Sequence, residues 1–247
     1  DCCAESWIGD GFADCEDQAY GCDLSCYDND GGDCTSENDN DEECNGLVFN
    51  HTACPDQHEL IESGCYFATD VNVLSQILTN SQNTQIPPPT DLAPIRMGTQ
   101  QWQNGRLIGF CSSASEVDPF PGVESCLSEY VLGGNIPDNI SDLDQLKLVQ
   151  LSMNEFTGPI PVSLTTMSNL EVLLLGNNIL NGQIPQSVGN LTNLKLLSFA
   201  VNQMEGQFPH EIWDLDSLIV LDVHANQLSG GISPDIQNAS SIERIYI

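Results

Sequence analysis

The chain is short of positive charge: its 247 residues include five Lys and Arg against 36 Asp and Glu, a formal net charge of −31. That balance argues against nucleic acid and against an anionic membrane surface as partners, because both are held through basic patches. It suits a soluble, self-repelling chain able to recruit cations. No apolar run approaches the roughly 18 residues of a spanning helix, so no membrane span is expected within this segment. Cysteine is missing beyond Cys126, although eleven are crowded between Cys2 and that point. Histidine is scarce, and His51, His58 and His210 show no pattern of partners.

What the C-terminal half has is periodicity. Leu146, Leu170, Leu194, Leu218 and Ile242 fall 24 residues apart, and Asn154, Asn178, Asn202 and Asn226 keep the same phase. Gly158, Gly182, Gly206 and Gly230 follow, then Pro161, Pro185, Pro209 and Ser233. Alternating apolar residues such as Leu173 and Leu175 suit a short strand with one face turned inward. The Asn stands where the chain must turn, and its amide can satisfy backbone groups that would otherwise be buried unpaired. Gly and Pro punctuate the return path. One such unit cannot bury its apolar side alone, so the units are expected to stack into a solenoid with a parallel sheet on one face. A first, degenerate unit keeps register through Leu127, Leu132, Gly134, Ile136, Pro137, Ile140 and Leu143.

The order L-x-x-L-x-L-x-x-N-x-L-x-G-x-I-P resembles the leucine-rich repeat, and its G-x-I-P segment resembles the plant-type subclass. The resemblance implies an α/β solenoid with its parallel β-sheet on the concave face. The expected organisation is a disulfide-rich module with an acidic linker over 1–44, a cysteine-containing cap region over 45–125, and repeats over 126–247. Ile242, Ile245 and Ile247 begin a further repeat and the chain opens on Asp1, so it is expected to start and stop inside a longer precursor.

Residues 1–44 hold 15 acidic residues, seven cysteines and no Lys or Arg, a composition that cannot build an apolar core. The run Trp7-Ile8-Gly9-Asp10-Gly11, then Cys15, Cys22 and Cys26, then Asp28-Asn29-Asp30-Gly31-Gly32-Asp33-Cys34, resembles a Lin12-Notch repeat, a disulfide module organised around calcium. Carboxylates are hard oxygen ligands, and glycines between them let several reach one cation. The resemblance implies Asp10, Asp30 and Asp33 as calcium ligands, with Asp14 and Asp28 as further candidates. Ala13 stands where the family places a cysteine, so no disulfide pairing is carried over. An EF-hand would need a ligand where Cys26 stands, and a zinc site at Cys22 and Cys26 lacks a preceding histidine; a merely solvated acidic face is the other alternative.

The cysteines Cys2, Cys3, Cys15, Cys22, Cys26, Cys34, Cys44, Cys54, Cys65, Cys111 and Cys126 imply an oxidising, extracellular or cell-surface setting, and their odd number leaves one without a partner within the chain. Sequons at Asn50, Asn139, Asn190 and Asn238 agree with that compartment. Between these landmarks Asp70 is placed to cap a helix with Val71, Leu74, Ile77 and Leu78 on one stripe, ended by Pro87-Pro88-Pro89. Trp102 and the strand-like Leu107–Cys111 resemble the N-terminal lid of plant-type repeat proteins, which a solenoid needs to cover its first repeat.

No catalytic constellation rises above background, and the chain is expected not to be an enzyme. Asp222 and His224 share the open face of one strand, yet the neighbouring repeats supply only Ser198, Ala200, Leu174 and Gly176 there. The same face carries the column Leu148, Val172, Leu196 and Val220 beside Lys147, Glu171, Lys195 and Ile219. A mostly uncharged ladder on an acidic protein suits a protein, peptide or polysaccharide partner, although apolar residues also favour strands for their own sake. The expected function is extracellular recognition or scaffolding. A self-associating structural glycoprotein and an inhibitor of a secreted hydrolase are the alternatives.

Overall fold

The computed structural model describes residues 57–61, 64–114 and 126–247. The chain forms two compact units, Asp1–Tyr66 and Phe67–Ile247. In the first, strand β1 (His58–Ile61) pairs with β2 (Gly64–Phe67), whose last residue opens the second unit, and Cys65 is disulfide-bonded.

The second unit is a solenoid. After helix α1 (Ala68–Asn80), β3 (Thr99–Gln103) and β4 (Arg106–Cys111) form an antiparallel pair. Each following repeat contributes two short strands and a 3-10 helix. The first sheet continues from β4 through β6 (Leu148–Gln150), β8 (Val172–Leu174), β10 (Leu196–Ser198), β12 (Val220–Asp222) and β14 (Arg244–Tyr246), all parallel. Leu148, Val172, Leu196, Val220 and Arg244 lie in register, so the column read from the sequence is a real row of neighbours.

A second parallel sheet runs along the return path: β5 (Gly133–Asn135), β7 (Glu155–Gly158), β9 (Ile179–Gly182), β11 (Gln203–Gln207) and β13 (Gln227–Ser229). The sequence reading placed only turns there. Its signal is an alternation one strand long, as in exposed Ile179, buried Leu180 and exposed Asn181. The 3-10 helices Asp138–Asp142, Val162–Thr166, Gln186–Asn190, His210–Asp214 and Pro234–Asn238 close each turn. In the first four, a proline that ends the preceding extended segment immediately precedes the helix. Leu146, Leu170, Leu194 and Leu218 stack at the centre of one continuous core.

The asparagine column does what its position suggests. Asn178 Nδ2 donates to the carbonyls of Leu151, Leu175 and Gly176 at 2.9, 3.0 and 3.3 Å, and Asn178 Oδ1 accepts from Phe156 N at 2.9 Å. Asn202 and Asn226 repeat the pattern, and their Oδ1 atoms accept from Leu180 N and Met204 N. Asn154 Oδ1 likewise takes Leu132 N, while its Nδ2 reaches back to the carbonyl of Ser112 in the cap. The residue before each Asn is left-handed: Met153, Asn177, Val201 and Ala225 have φ of 59°, 53°, 53° and 54°. An exposed residue at this place is therefore not indifferent to substitution, because the left-handed region penalises a Cβ and tolerates Asn best.

The lid is held by one buried charge. Asp70 is not the helix cap expected: Phe67 holds that position without a side-chain bond. Asp70 lies in the first turn, fully buried, and accepts from Arg106 Nε at 3.1 Å and from Leu107 N at 2.8 Å. Arg106 also donates to Asp144 and to the carbonyl of Asp142, and its guanidinium covers the Phe67 ring at 4.5 Å. Helix, strand β4 and first repeat meet on that side chain. The disulfide Cys111–Cys126 joins the end of β4 to the start of the first repeat, while Val71, Leu74, Ile77 and Leu78 face inward as expected.

Three substitutions test this account by urea denaturation. Asn178→Ala orphans the Phe156 N–H and removes one of two donors from each of the Leu151, Leu175 and Gly176 carbonyls, at about 1 to 3 kcal/mol for the group left unsatisfied. Val201→Asn relieves a β-branched residue at φ 53° and is expected to raise stability by on the order of 1 kcal/mol; a lower urea midpoint would count against the strain. Arg106→Ala leaves the Asp70 carboxylate buried and unpaired, and is expected to cost about 3 kcal/mol or more.

Candidate binding face

In each repeat the side chains beside the core-facing leucines point away from the core. Those of successive repeats lie about 4.8 Å apart. Leu174, Leu196 and Val220 form an apolar cluster separate from the core, joined at its margins by half-buried Leu148, Val172 and Ile219. The ladder was expected to be freely exposed. It is not: Leu174, Leu196 and Val220 are 0%, 6% and 1% exposed. Cross-strand neighbours in contact shield one another, and the accessible apolar positions are Leu148, Val172 and Ile219 instead.

Charge is distributed unevenly around this cluster. Lys147, Lys195 and Arg244, three of the five basic residues of the chain, stand at outward positions of the first sheet, with Glu171 and Glu243 between them. Lys195 Nζ donates to Glu171 Oε2 at 2.6 Å. That hydrogen bond, opposed by partial burial and reinforced by the charges of Lys195 and Lys147, holds the Glu171 carboxyl below its ordinary value. A depressed carboxylate contributes stability above its ordinary titration range and loses it as pH falls through the folded value. The pair is accessible, so the contribution is small.

At the C-terminal side of the face His224 Nδ1 lies 2.6 Å from Asp222 Oδ1, which also accepts from His224 N at 3.3 Å. A carboxylate accepts, so the imidazole donates from Nδ1 in this contact. Asp222 lies between Ser198 and Tyr246 in register. Ser198 Oγ accepts from Ala200 N at 3.4 Å and is not bonded to the imidazole. The contact fixes the orientation of the imidazole on the outward side of the strand. Among the described residues no three metal-ligating side chains converge.

The other sequence candidates divide by location. Asp10, Asp14, Asp28, Asp30 and Asp33, the sequon at Asn50, and Cys2, Cys3, Cys15, Cys22, Cys26, Cys34, Cys44 and Cys54 lie outside the described residues. Asn190 and Asn238 are exposed at the ends of their 3-10 helices, whereas Asn139 is half-buried with Oδ1 shut away from solvent. All three are on the return path, as expected, and the first sheet carries no sequon. Among the described residues no helix is long and apolar enough to cross a membrane.

Residues 169–191 and 217–239 match the family model described as Leucine Rich Repeat. Each matched segment falls within one turn of the solenoid and is similar to a leucine-rich repeat. Solved structures share the fold over more of the chain. The receptor kinase SOBIR1 ectodomain from Arabidopsis thaliana is 23% identical over 73% of this chain and 92% of its own, with a TM-score of 0.54. The PEPR1–AtPEP1 complex gives 21% identity, 72% and 28% coverage and a TM-score of 0.54. A plant ice-binding protein gives 23%, 71% and 56%, again at 0.54. The chain thus spans about a quarter of PEPR1 and about half of the ice-binding protein. No curated protein sequence matches it. Receptor ectodomains and an ice binder share this architecture, so the repeats identify a scaffold and the exposed side chains must identify the function.

Two outcomes follow from the face. Lys195→Gln is expected to return the Glu171 carboxyl to the ordinary range, read by NMR titration, with little change in stability. Leu196→Glu places a charge at a buried position and is expected to cost more than about 2 kcal/mol, whereas Val172→Arg, half-buried at the margin, leaves the fold standing; equal urea midpoints for the two would contradict the burial pattern.

Proposed function

We propose that the solenoid is a non-enzymatic extracellular recognition module that binds a protein or peptide across the first sheet. The observation that carries this reading is the second apolar cluster, on the side of the sheet opposite the core and within the most nearly neutral strip of an acidic chain. Apolar area outside the core gives an association its driving force. The Lys147, Glu171 and Lys195 column and the Asp222–His224 pair border it with polar groups able to fix orientation. Receptor-type architecture supports the reading without naming a ligand.

The N-terminal segment belongs to the same proposal as a calcium-stabilised module ligated by Asp10, Asp30 and Asp33, with Asp14 and Asp28 nearby. Extracellular calcium modules bind at about 10⁻⁴ to 10⁻³ M, so millimolar calcium would add on the order of 0.4 to 1.4 kcal/mol. Chelation should then lower hydrogen-exchange protection in 1–44 and leave the solenoid unchanged; unaltered protection in 1–44 would remove calcium from the proposal.

The recognition reading is tested with peptides selected from a random display library against the whole chain. Selected peptides are expected to lose at least about tenfold in affinity, about 1.4 kcal/mol, on Val172→Arg and on Leu148→Arg, with urea midpoints retained. Binding indifferent to both variants would place recognition elsewhere.

A further inference from the structure

The second sheet is unlike the rest of this molecule. Its strands carry Asn135, Asn181, Gln203, Gln207 and Gln227, with Gln183 one residue beyond a strand end, all exposed, in a chain of net charge −31. Glu155 and Glu205 are the acidic residues among these strands, and no Lys or Arg is present in them. One amide pair lies in register across the strands, Asn181 opposite Gln203, while Gln227 stands opposite the carboxylate of Glu205.

Glycines form the floor beneath them. A Cβ at Gly158 would come within 2.6 Å of Asn135 Oδ1, and one at Gly206 within 2.8 Å of Gln183 Cγ. Both glycines have positive φ, 75° and 82°. The amide of one repeat therefore lies across the bare backbone of the next. Asn135 Oδ1 accepts from Thr157 Oγ1 at 3.2 Å, while the side chains of Asn181, Gln183, Gln203, Gln207 and Gln227 make no hydrogen bond to a described residue. Each offers two N–H donors and a carbonyl acceptor at strand spacing. The sequons Asn190 and Asn238 lie on the 3-10 helices, and no strand of this sheet carries one.

From this arrangement we infer that the second sheet is a docking surface for a neutral, hydroxyl-rich polysaccharide chain lying across the strands. A hydroxyl both donates and accepts, and an amide answers both roles, whereas an ionised carboxylate only accepts. An uncharged ligand incurs no repulsion from a chain at −31, whereas an acidic polysaccharide would, and a basic one would be drawn to the carboxylates elsewhere. This surface is distinct from the first-sheet face, and neither inference depends on the other.

The test is co-sedimentation of the whole chain with microcrystalline cellulose and with insoluble β-1,3-glucan. The native chain is expected to be retained by at least one, equally from about 50 mM to about 500 mM NaCl, since no charge pairing is screened. The triple variant Gln183→Glu, Gln203→Glu, Gln227→Glu changes shape little at exposed sites and is expected to lose at least about tenfold in retention, with its urea midpoint unchanged. Val172→Arg, on the other sheet, is expected to bind the glucan normally. Absence of retention on both glucans, retention that falls with salt, or retention lost through Val172→Arg while the triple variant still binds would each overturn the assignment; should the triple variant unfold, single Gln203→Glu is read in its place, and unchanged retention there would overturn it as well.

Discussion

Everything in this solenoid depends on how a chain turns a corner with its backbone buried. A repeat of 24 residues must leave one sheet and enter the next, and at the bend carbonyls such as those of Leu151 and Leu175, and an N–H such as that of Phe156, turn to a side chain for their partner. The amide of Asn154, Asn178, Asn202 or Asn226 supplies the missing donors and the missing acceptor at once. Because Nδ2 and Oδ1 both reach into the preceding repeat, each Asn also fixes the stacking distance between repeats. Aspartate has no donor to offer and Gln is one methylene longer, so neither substitutes. The ladder ends in the cap, where Asn154 takes the Ser112 carbonyl, and the lid is thereby treated as one more repeat.

That role explains which parts of the fold were legible. Periodic Leu, Asn, Gly and Pro specify the first sheet, its register and the direction of stacking, because each column answers a separate physical need. The second sheet was not legible, since three to five residues of alternation carry too little pattern to distinguish strand from turn. The cap was read in outline, with helix and strand in place, but Asp70 was assigned the local task of a helix cap. Its actual partner, Arg106, is 36 residues away. A buried carboxylate finds whichever donor the tertiary fold brings, and local sequence does not contain that information.

The candidate face shows the same division. Alternation within a strand correctly sends Leu148, Val172, Leu196 and Val220 away from the core, and correctly brings Asp222 and His224 together on one side. It does not give exposure. Facing away from the core and facing water are different properties, and packing across strands separates Val172, which remains accessible, from Val220, which does not. The left-handed residue before each Asn carried no readable signal either, because Met153, Val201 and Ala225 are not residues that advertise positive φ. Only Asn177 is, and one repeat in four does not establish a rule.

Charge gives the two sheets their separate characters. With five cations among 36 acids, each basic residue is a scarce resource, and three stand at outward positions of the first sheet while Arg106 is committed to Asp70. They offset Glu171, Asp222 and Glu243 locally, so that apolar side chains there are not embedded in a uniformly negative field. The second sheet reaches near-neutrality by another route, replacing ionisable groups with amides. A ligand approaching the first meets apolar area bordered by paired charges; one approaching the second meets unpaired hydrogen-bonding groups with little field behind them. Affinity at the first should therefore grow with buried apolar area, and at the second with the number of hydroxyls engaged in succession along the repeats.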